Sequence, residues 1–421
     1  DVVSLRGDAE IATPGGAALR VGLGATYDDV TLDELDATLL GLPLDALRSY
    51  RASAPGGFAY GQGRWQTGGL VLNTGLRTEY FTAGPQSEHQ TLPGSGGGRF
   101  SFLPRFGIAY PLSTRDVFSM AYVRVDQVPE RDLLYDRRRK ITNRQPLGNP
   151  ALSPATMVSY EAALKHQFGP EWALQSSFFY RDVAHMAGAR DYRTPGGPVD
   201  PRYTDEDQAS SAGFELSLVR DAGEVRRFEA HYTFMHAWGY ESRSEGDPYG
   251  PLRDVSTAPI GEQPLSWDRR HALVVSGLWR WRSRVSLAWS SRLGSPLPWT
   301  PKPRRQQPAD VTMVNSRRLG WSGVTHLGVT WSPPRVFGLA FGLEARNLFD
   351  ERGERAVTVD GYPNPVINTY FDDYGAYRTE TGLGGGAYWT NGGGTGHWVP
   401  LHDARLFDPP RSVRASVGRR W

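Results

Sequence analysis

Ser412-Val413-Arg414-Ala415-Ser416-Val417-Gly418-Arg419-Arg420-Trp421 closes the chain. Val413, Ala415, Val417, Arg419 and Trp421 stand at every second position, and in extended backbone such residues share one face. The rhythm recurs upstream, in about fourteen segments of roughly ten residues each, the length that crosses a bilayer as a tilted strand. Backbone N–H and C=O groups in lipid must find internal partners, so a chain that crosses without apolar helices crosses as closed sheet. The expected fold is all-β, an antiparallel transmembrane β-barrel.

Face-by-face reading supports this. Leu70, Leu72, Leu76 and Tyr80 oppose Asn73, Arg77 and Glu79. Trp172, Leu174, Phe178 and Tyr180 oppose Gln175, Ser177 and Arg181, and Phe337, Leu339, Phe341 and Leu343 oppose Gly338, Gly342, Glu344 and Arg346. A face of Gly, Ser, Glu and Arg suits a wet lumen, because an ionised side chain in a dry core costs several kcal/mol unless paired.

The connections alternate in length. Short ones fall at Thr67–Gly69, Ser113–Asp116, Gly169–Glu171, Asp221–Val225, Trp281–Arg284 and Ser332–Arg335. Between them lie long polar stretches, 83–102, 127–157, 184–212, 239–268, 294–323 and 348–410. Structureless loops of that length are uncommon in compact soluble domains. Outer-membrane barrels pair short periplasmic turns with long extracellular loops. The last strand then runs inward, and counting back makes the first, near Ala18–Asp28, run outward. Residues 32–53, whose helix-like spacing breaks at Pro43, are expected in an external loop.

Composition excludes other classes. The chain is 39% hydrophobic and has no apolar run of the kind a spanning helix needs. Its 13 Trp and 19 Tyr suit aromatic girdles, although a large soluble β-fold such as a propeller or glycan-binding sandwich also carries many. A net charge of +2 from 47 basic and 45 acidic residues does not favour nucleic acid. Zero Cys is compatible with passage through an oxidising periplasm. Residues 1–16 are polar and Gly-rich and carry no signal-peptide pattern: either a signal has been removed or the chain starts partway through a longer protein.

Several motifs in register then carry a resemblance. Gly75-Leu76-Arg77, Leu103–Tyr110, Ala121–Pro129, Gly148-Asn149-Pro150 with Leu152-Ser153-Pro154 and Tyr160-Glu161, and Asn347-Leu348-Phe349-Asp350 resemble the barrel of a TonB-dependent receptor. Trp267–His271 and Pro409-Pro410-Arg411 are similar to the subgroup with an N-terminal carboxypeptidase-regulatory-like domain. The resemblance implies uptake of a scarce substrate across the outer membrane of a Gram-negative bacterium, by external-loop binding rather than bond chemistry. Such receptors resemble a barrel of about 22 strands filled by a plug. The expectation for residues 1–421 is therefore a partial barrel, its C-terminal two-thirds, without plug, TonB-engaging segment or about eight strands. Alone it should not transport by the family's mechanism, and TonB would be engaged only through the missing N-terminal part. The alternatives are a complete 14-stranded diffusion channel, which the same strand count allows, and a soluble β-rich binding protein.

Candidate sites are few. Val413, Ala415, Val417 and Trp421 resemble the signal read by barrel-assembly machinery, and also read as a lipid-facing strand end. Tyr388, Trp389 and Trp398, in and beside the Gly-rich loop 382–396, suit contact with the imported ligand, a sugar or peptide among the options. Asp360, Asp372, Asp373 and Glu380 lack the regular spacing of a Ca²⁺ loop. His231 and His236 differ by an odd number, which puts them on opposite strand faces. No HExxH, phosphate loop or nucleophile elbow is present, so no cofactor, metal or catalytic residue is assigned. His271 beside Asp268 is the nearest acid/base pair, which a charge cluster at a strand start also explains. Arg137-Arg138-Arg139-Lys140 suits lipopolysaccharide phosphates, or a solvated loop, while membrane lipid meets the barrel's outer face.

Overall fold

The computed structural model describes residues 1–12, 16–35, 47–84, 97–135, 148–193, 199–223, 226–240, 262–281, 284–299, 315–334, 338–351, 387–390, 397–400 and 410–419. In chain order the elements are β1 (Val2–Ala12), β2 (Ala18–Leu35), β3 (Leu47–Thr67), β4 (Leu70–Phe81), β5 (Arg99–Pro111), β6 (Asp116–Gln127), α1 (Arg131–Tyr135), β7 (Ala155–Gln167), β8 (Trp172–Arg193), β9 (Val199–Asp221) and β10 (Arg226–Tyr240). There follow β11 (Gln263–Pro264), β12 (His271–Trp281), β13 (Val285–Gly294), β14 (Pro298–Trp299), β15 (Arg317–Arg318), β16 (Ser322–Trp331), β17 (Leu339–Arg346), β18 (Ala387–Thr390), β19 (His397–Pro400) and β20 (Ser412–Arg419).

One antiparallel 16-stranded sheet carries the fold, in the order β1 to β10, β12, β13, β16, β17, β20, with β11 added beside β10. Neighbouring strands of this path pair antiparallel, and the six short turns expected from the sequence join β3 to β4, β5 to β6, β7 to β8, β9 to β10, β12 to β13 and β16 to β17; five residues also separate β1 from β2 and β8 from β9. At a tilt near 45°, the 12 residues of β4 traverse about 28 Å of depth, enough for a bilayer core.

The register confirms the two faces. Leu5 pairs Ala25, Ala25 pairs Gly57, Gly57 pairs Tyr80 and Tyr80 pairs Phe100 on the outer face. Aromatic rings continue that face across strands: Tyr122 and Tyr160 lie 5.2 Å apart, Phe178 and Phe214 6.1 Å, and Phe214 and Tyr232 5.8 Å. Such pairs contribute about 0.5–1.5 kcal/mol beyond their area burial. Leu76, Phe100, Phe102, Phe106, Met120 and Phe178 are exposed there, which in water would be a severe liability and in lipid is the requirement.

The structure differs from the sequence expectation in four places. Val2–Ala12 is a strand, giving fifteen traversing strands among the described residues instead of about fourteen. Val3, Leu5, Ala9 and Ile11 alternate with Ser4, Arg6, Asp8 and Glu10, a pattern hidden by its charges. Residues 32–35 and 47–53 extend β2 and β3 rather than forming a loop, with Leu32 opposite Tyr50. Pairing there seals a small core, which overrides the helix-like leucine spacing. The stretch 184–212 is mostly strand, β8 and β9 running past the rim. Register shifts between Val183, Met186 and Gly188, with His185 at φ 59°, break the alternation that sequence reading follows. Finally, Gly-rich 382–396 is not all loop, because β18 pairs β19.

Candidate functional site

The inner face of β1–β4 carries a paired-charge ladder. Asp8, Gly22, Tyr60 and Arg77 form one cross-strand row, and Arg6, Gly24, Phe58 and Glu79 the next. Glycine is needed in β2, because a Cβ at Gly22 would meet the Tyr60 ring at 2.4 Å and one at Gly24 the Phe58 ring at 2.6 Å. Lying across these glycines, Tyr60 donates its hydroxyl to Asp8 Oδ1 at 2.6 Å. Arg6 Nε donates to Asp8 Oδ2 at 2.6 Å, and Arg20 Nη2 to Glu10 at 2.6 Å. Arg77 stacks 3.8 Å over Phe58 while donating to Glu79. The wall thus offers fixed, compensated charge to a polar passenger.

Above this ladder α1, which follows β6, packs against the extended ends of β2 and β3. Leu134 and Tyr135 of α1 pack with Tyr50, Ala52, Ala83 and Leu152 into a buried cluster. Arg131 pairs Asp28 at 2.5 Å, Tyr50 donates to Asp132 at 3.1 Å, and Tyr135 donates to the Ala83 carbonyl at 2.9 Å. Burial pushes the Tyr135 phenol up to about 12. A cavity of about 390 Å³ lies beneath, lined by Asp28, Phe58, Arg77, Glu79, Arg131 and Tyr135 among others. Charged and aromatic groups of both signs meet there at the outer mouth of the lumen.

The motifs behind the family resemblance hold this mouth in place. Asn149 donates to the Tyr203 carbonyl at 2.8 Å, Ser153 N–H to Asp205 at 2.9 Å, and Arg99 to Ser153 Oγ at 2.7 Å and to the Ala151 carbonyl. Asn347, at φ 51°, exchanges two side-chain hydrogen bonds with the Glu351 backbone at 2.8 and 2.9 Å, and Asp350 accepts the Arg411 N–H at 2.9 Å, tying β17 to the start of β20.

Asp268 is the most buried charge at the rim, 0% exposed. It accepts from the Ala237 N–H at 2.8 Å, Arg270 Nε at 2.8 Å and Arg318 Nη2 at 2.5 Å. Burial alone would raise its pKa; the Ala237 amide and the Arg318 and Arg270 guanidiniums outweigh that and hold it below the usual carboxylate range. His271 goes elsewhere, its Nδ1 sharing a 2.8 Å hydrogen bond with the Tyr232 hydroxyl. Asp268 and His271 therefore have separate partners, Asp268 in a clamp at the rim and His271 on Tyr232.

Of the sequence candidates, Val413, Ala415 and Val417 lie in β20 opposite Ala345, Leu343 and Phe341, exposed on the lipid-side face. Trp421 lies outside the described residues, as do Phe337, Asp360, Asp372, Asp373, Glu380 and Arg137–Lys140. Trp389 pairs directly with Trp398 and Tyr388 with Val399 in the β18–β19 hairpin. His231 pairs Ser217 on the inner face and His236 pairs Ala212 on the outer, so they are kept apart. Sequence reading missed Arg6, Asp8, Phe58, Tyr60 and Arg131. The alternation in residues 2–12 and 58–64 was a usable signal for the first four; nothing local marks Arg131.

Residues 3–348 match the family profile described as TonB dependent receptor-like, beta-barrel. No curated protein sequence matches. Among solved structures, the chain is similar to the ferric enterobactin receptor of Pseudomonas aeruginosa, a Q482A mutant in complex with enterobactin, at TM-score 0.61 and 14% identity over 99% of this chain and 53% of that one. The ferric-catecholate import receptor Fiu of Escherichia coli K12 gives 0.59 and 15%, over 86% and 52%. The FrpB iron transporter of Neisseria meningitidis gives 0.57 and 14%, over 82% and 50%. This chain spans about half the length of the structures it matches.

Proposed function

Because the chain belongs to the TonB-dependent receptor-like β-barrel family, whose solved neighbours are outer-membrane receptors and transporters rather than enzymes, we propose that it forms part of a receptor importing a scarce substrate across a Gram-negative outer membrane. The observation that carries this reading is the charged and aromatic inner wall leading up to the 390 Å³ cavity at the mouth. Paired ions such as Arg77 with Glu79 and Arg131 with Asp28 hold the wall rigid without presenting a net field. A polar substrate exchanges hydration for these groups stepwise.

Further parts of the proposal rest on the family. The remaining strands, plug and TonB-engaging segment belong to sequence outside this chain, and the relatives' doubled length supports this. Energy reaches the lumen from the proton-motive force through TonB. The motifs Trp267–His271 and Pro409–Arg411 support placing the chain in the subgroup with a carboxypeptidase-regulatory-like domain. Tyr388, Trp389 and Trp398, on a hairpin in the longest external connection, are proposed to touch the arriving ligand. Val413, Ala415, Val417 and Trp421 are proposed to engage the barrel-assembly machinery, and Arg137–Lys140 lipopolysaccharide.

The test is accumulation of labelled ferric siderophores, cobalamin and oligosaccharides in cells expressing the full-length protein, with and without TonB. Uptake of one of them that requires TonB and falls on Arg77→Ala supports the proposal. TonB-independent permeation of small solutes, with no saturable uptake, would replace it with the diffusion channel.

A further inference from the structure

The outer face near the short-turn ends of β8–β13 bears a feature that neither strand packing nor transport requires. One lipid-facing row runs Trp172, Arg220, Phe228, Gly277, Trp289 across five strands, and the adjoining row pairs Arg226 with Trp279. Gly277 lets the Trp289 indole lie flat, since a Cβ there would meet the ring at 2.1 Å. A groove of about 440 Å³ results, floored and walled by Trp172, Phe228, Trp279 and Trp289 and edged by arginines, a volume typical of small-ligand sites.

Charge at its edge is uneven. Arg220 is held by Glu171 at 3.0 Å and stacks 5.4 Å over Trp172; Arg227 is held by Glu229 at 2.7 Å. Arg226, exposed, has no acidic partner among the described residues. A guanidinium with no acidic partner among the described residues, beside an aromatic groove at the depth where a barrel meets headgroups, is complementary to a phosphate joined to an acyl chain. Arginine binds phosphate through two parallel charge-assisted hydrogen bonds, and indoles favour the membrane interface.

We propose that this groove binds one anionic glycerophospholipid of the periplasmic leaflet, its phosphate on Arg226 and an acyl chain along Trp279, Trp289 and Phe228. The inference rests on the outer-membrane reading, and its failure is distinguishable: a chain that is no membrane barrel would not enter bilayers at all, whereas a barrel without this site enters and shows no lipid preference.

The experiment uses the full-length protein in phosphatidylethanolamine nanodiscs containing phosphatidylglycerol, with bound lipid counted by native mass spectrometry. Phosphatidylglycerol is retained preferentially, and Arg226→Gln weakens retention about tenfold, the scale of one charge-assisted contact, while luminal Arg105→Gln leaves it unchanged. Equal retention in Arg226→Gln, or equal retention of both lipids by the unmodified protein, overturns the site. Should Arg226→Gln not fold, the unmodified protein decides: tryptophan fluorescence is quenched more by acyl-brominated phosphatidylglycerol than by brominated phosphatidylethanolamine at equal mole fraction, and equal quenching refutes the proposal.

Discussion

Replacing Asp268 by alanine should loosen the outer rim between β10 and β13 while leaving the membrane-spanning sheet intact. The carboxylate is 0% exposed and takes three donors, the Ala237 amide and the guanidiniums of Arg270 and Arg318. Arg318 also donates to the Asp268 and Pro296 carbonyls at 2.9 and 3.1 Å, so it bridges β15 to the segment ahead of β12. Leaving the Ala237 N–H without a buried acceptor costs about 1–3 kcal/mol. Both arginine side chains are 33% exposed and can turn to water, so the loss of the ion pairs adds less than the 3–5 kcal/mol of a fully buried pair. A local cost of about 3 kcal/mol corresponds to roughly a hundredfold increase in opening. Amide hydrogen exchange on the protein in detergent reads this directly: Ala237 should exchange about a hundredfold faster in Asp268→Ala, while Ala230 and Tyr232, deeper in β10, are unchanged. Unchanged exchange at Ala237, or equal acceleration along all of β10, would refute the clamp.

The same carboxylate sets a pH dependence. Its folded pKa lies below the ordinary value, so its stabilisation is complete above the unfolded pKa of about 3.9 and is lost as pH falls through the folded pKa; protease resistance of the β10–β13 rim should be flat from neutral pH to about 5 and drop only below about 4. Leu134→Ala, in the cluster under α1, should cost about 2–5 kcal/mol locally and expose the β6–β7 connection to protease, whereas Tyr135→Phe, which loses only the hydrogen bond to Ala83, should cost about 1 kcal/mol. Asn347→Ala removes two hydrogen bonds and strains a residue at φ 51°, Asn347→Gly removes only the bonds, and the temperature of heat-modified gel mobility should fall further for alanine than for glycine.

How much of this was legible beforehand follows from what each element depends on. Spanning strands such as β4 and β17 announce themselves, because lipid on one side and water on the other force an apolar residue at every second position. The short turns are equally plain, since Gly, Pro, Asp and Ser are required where the chain reverses within a few residues. Above the rim neither constraint operates. Residues 184–193 and 199–212 continue as sheet through bulges that invert the pattern, and Leu32 and Tyr50 are strand only because α1, eighty residues later, covers them. The candidate site was legible in part for the same reason. Arg77 and Glu79 were assigned to the lumen from β4 alone, but their partner Phe58 and the neighbouring Asp8–Tyr60 bond depend on glycines in a different strand. The resemblance motifs could be recognised before their work was visible; the structure shows Asn149, Asp268 and Asn347 each fastening an external segment to the sheet.

The central claim is that one face of each strand meets lipid and the other meets a water-filled lumen. The chain has no cysteine, so single cysteines introduced along β4 in outer-membrane vesicles report on each position without background. A membrane-impermeant thiol reagent should label positions 73, 77 and 79 and spare 70, 72 and 76, with the reverse order for a lipid-soluble reagent. Uniform aqueous labelling at all six positions, in a chain that stays soluble without detergent, would contradict the barrel.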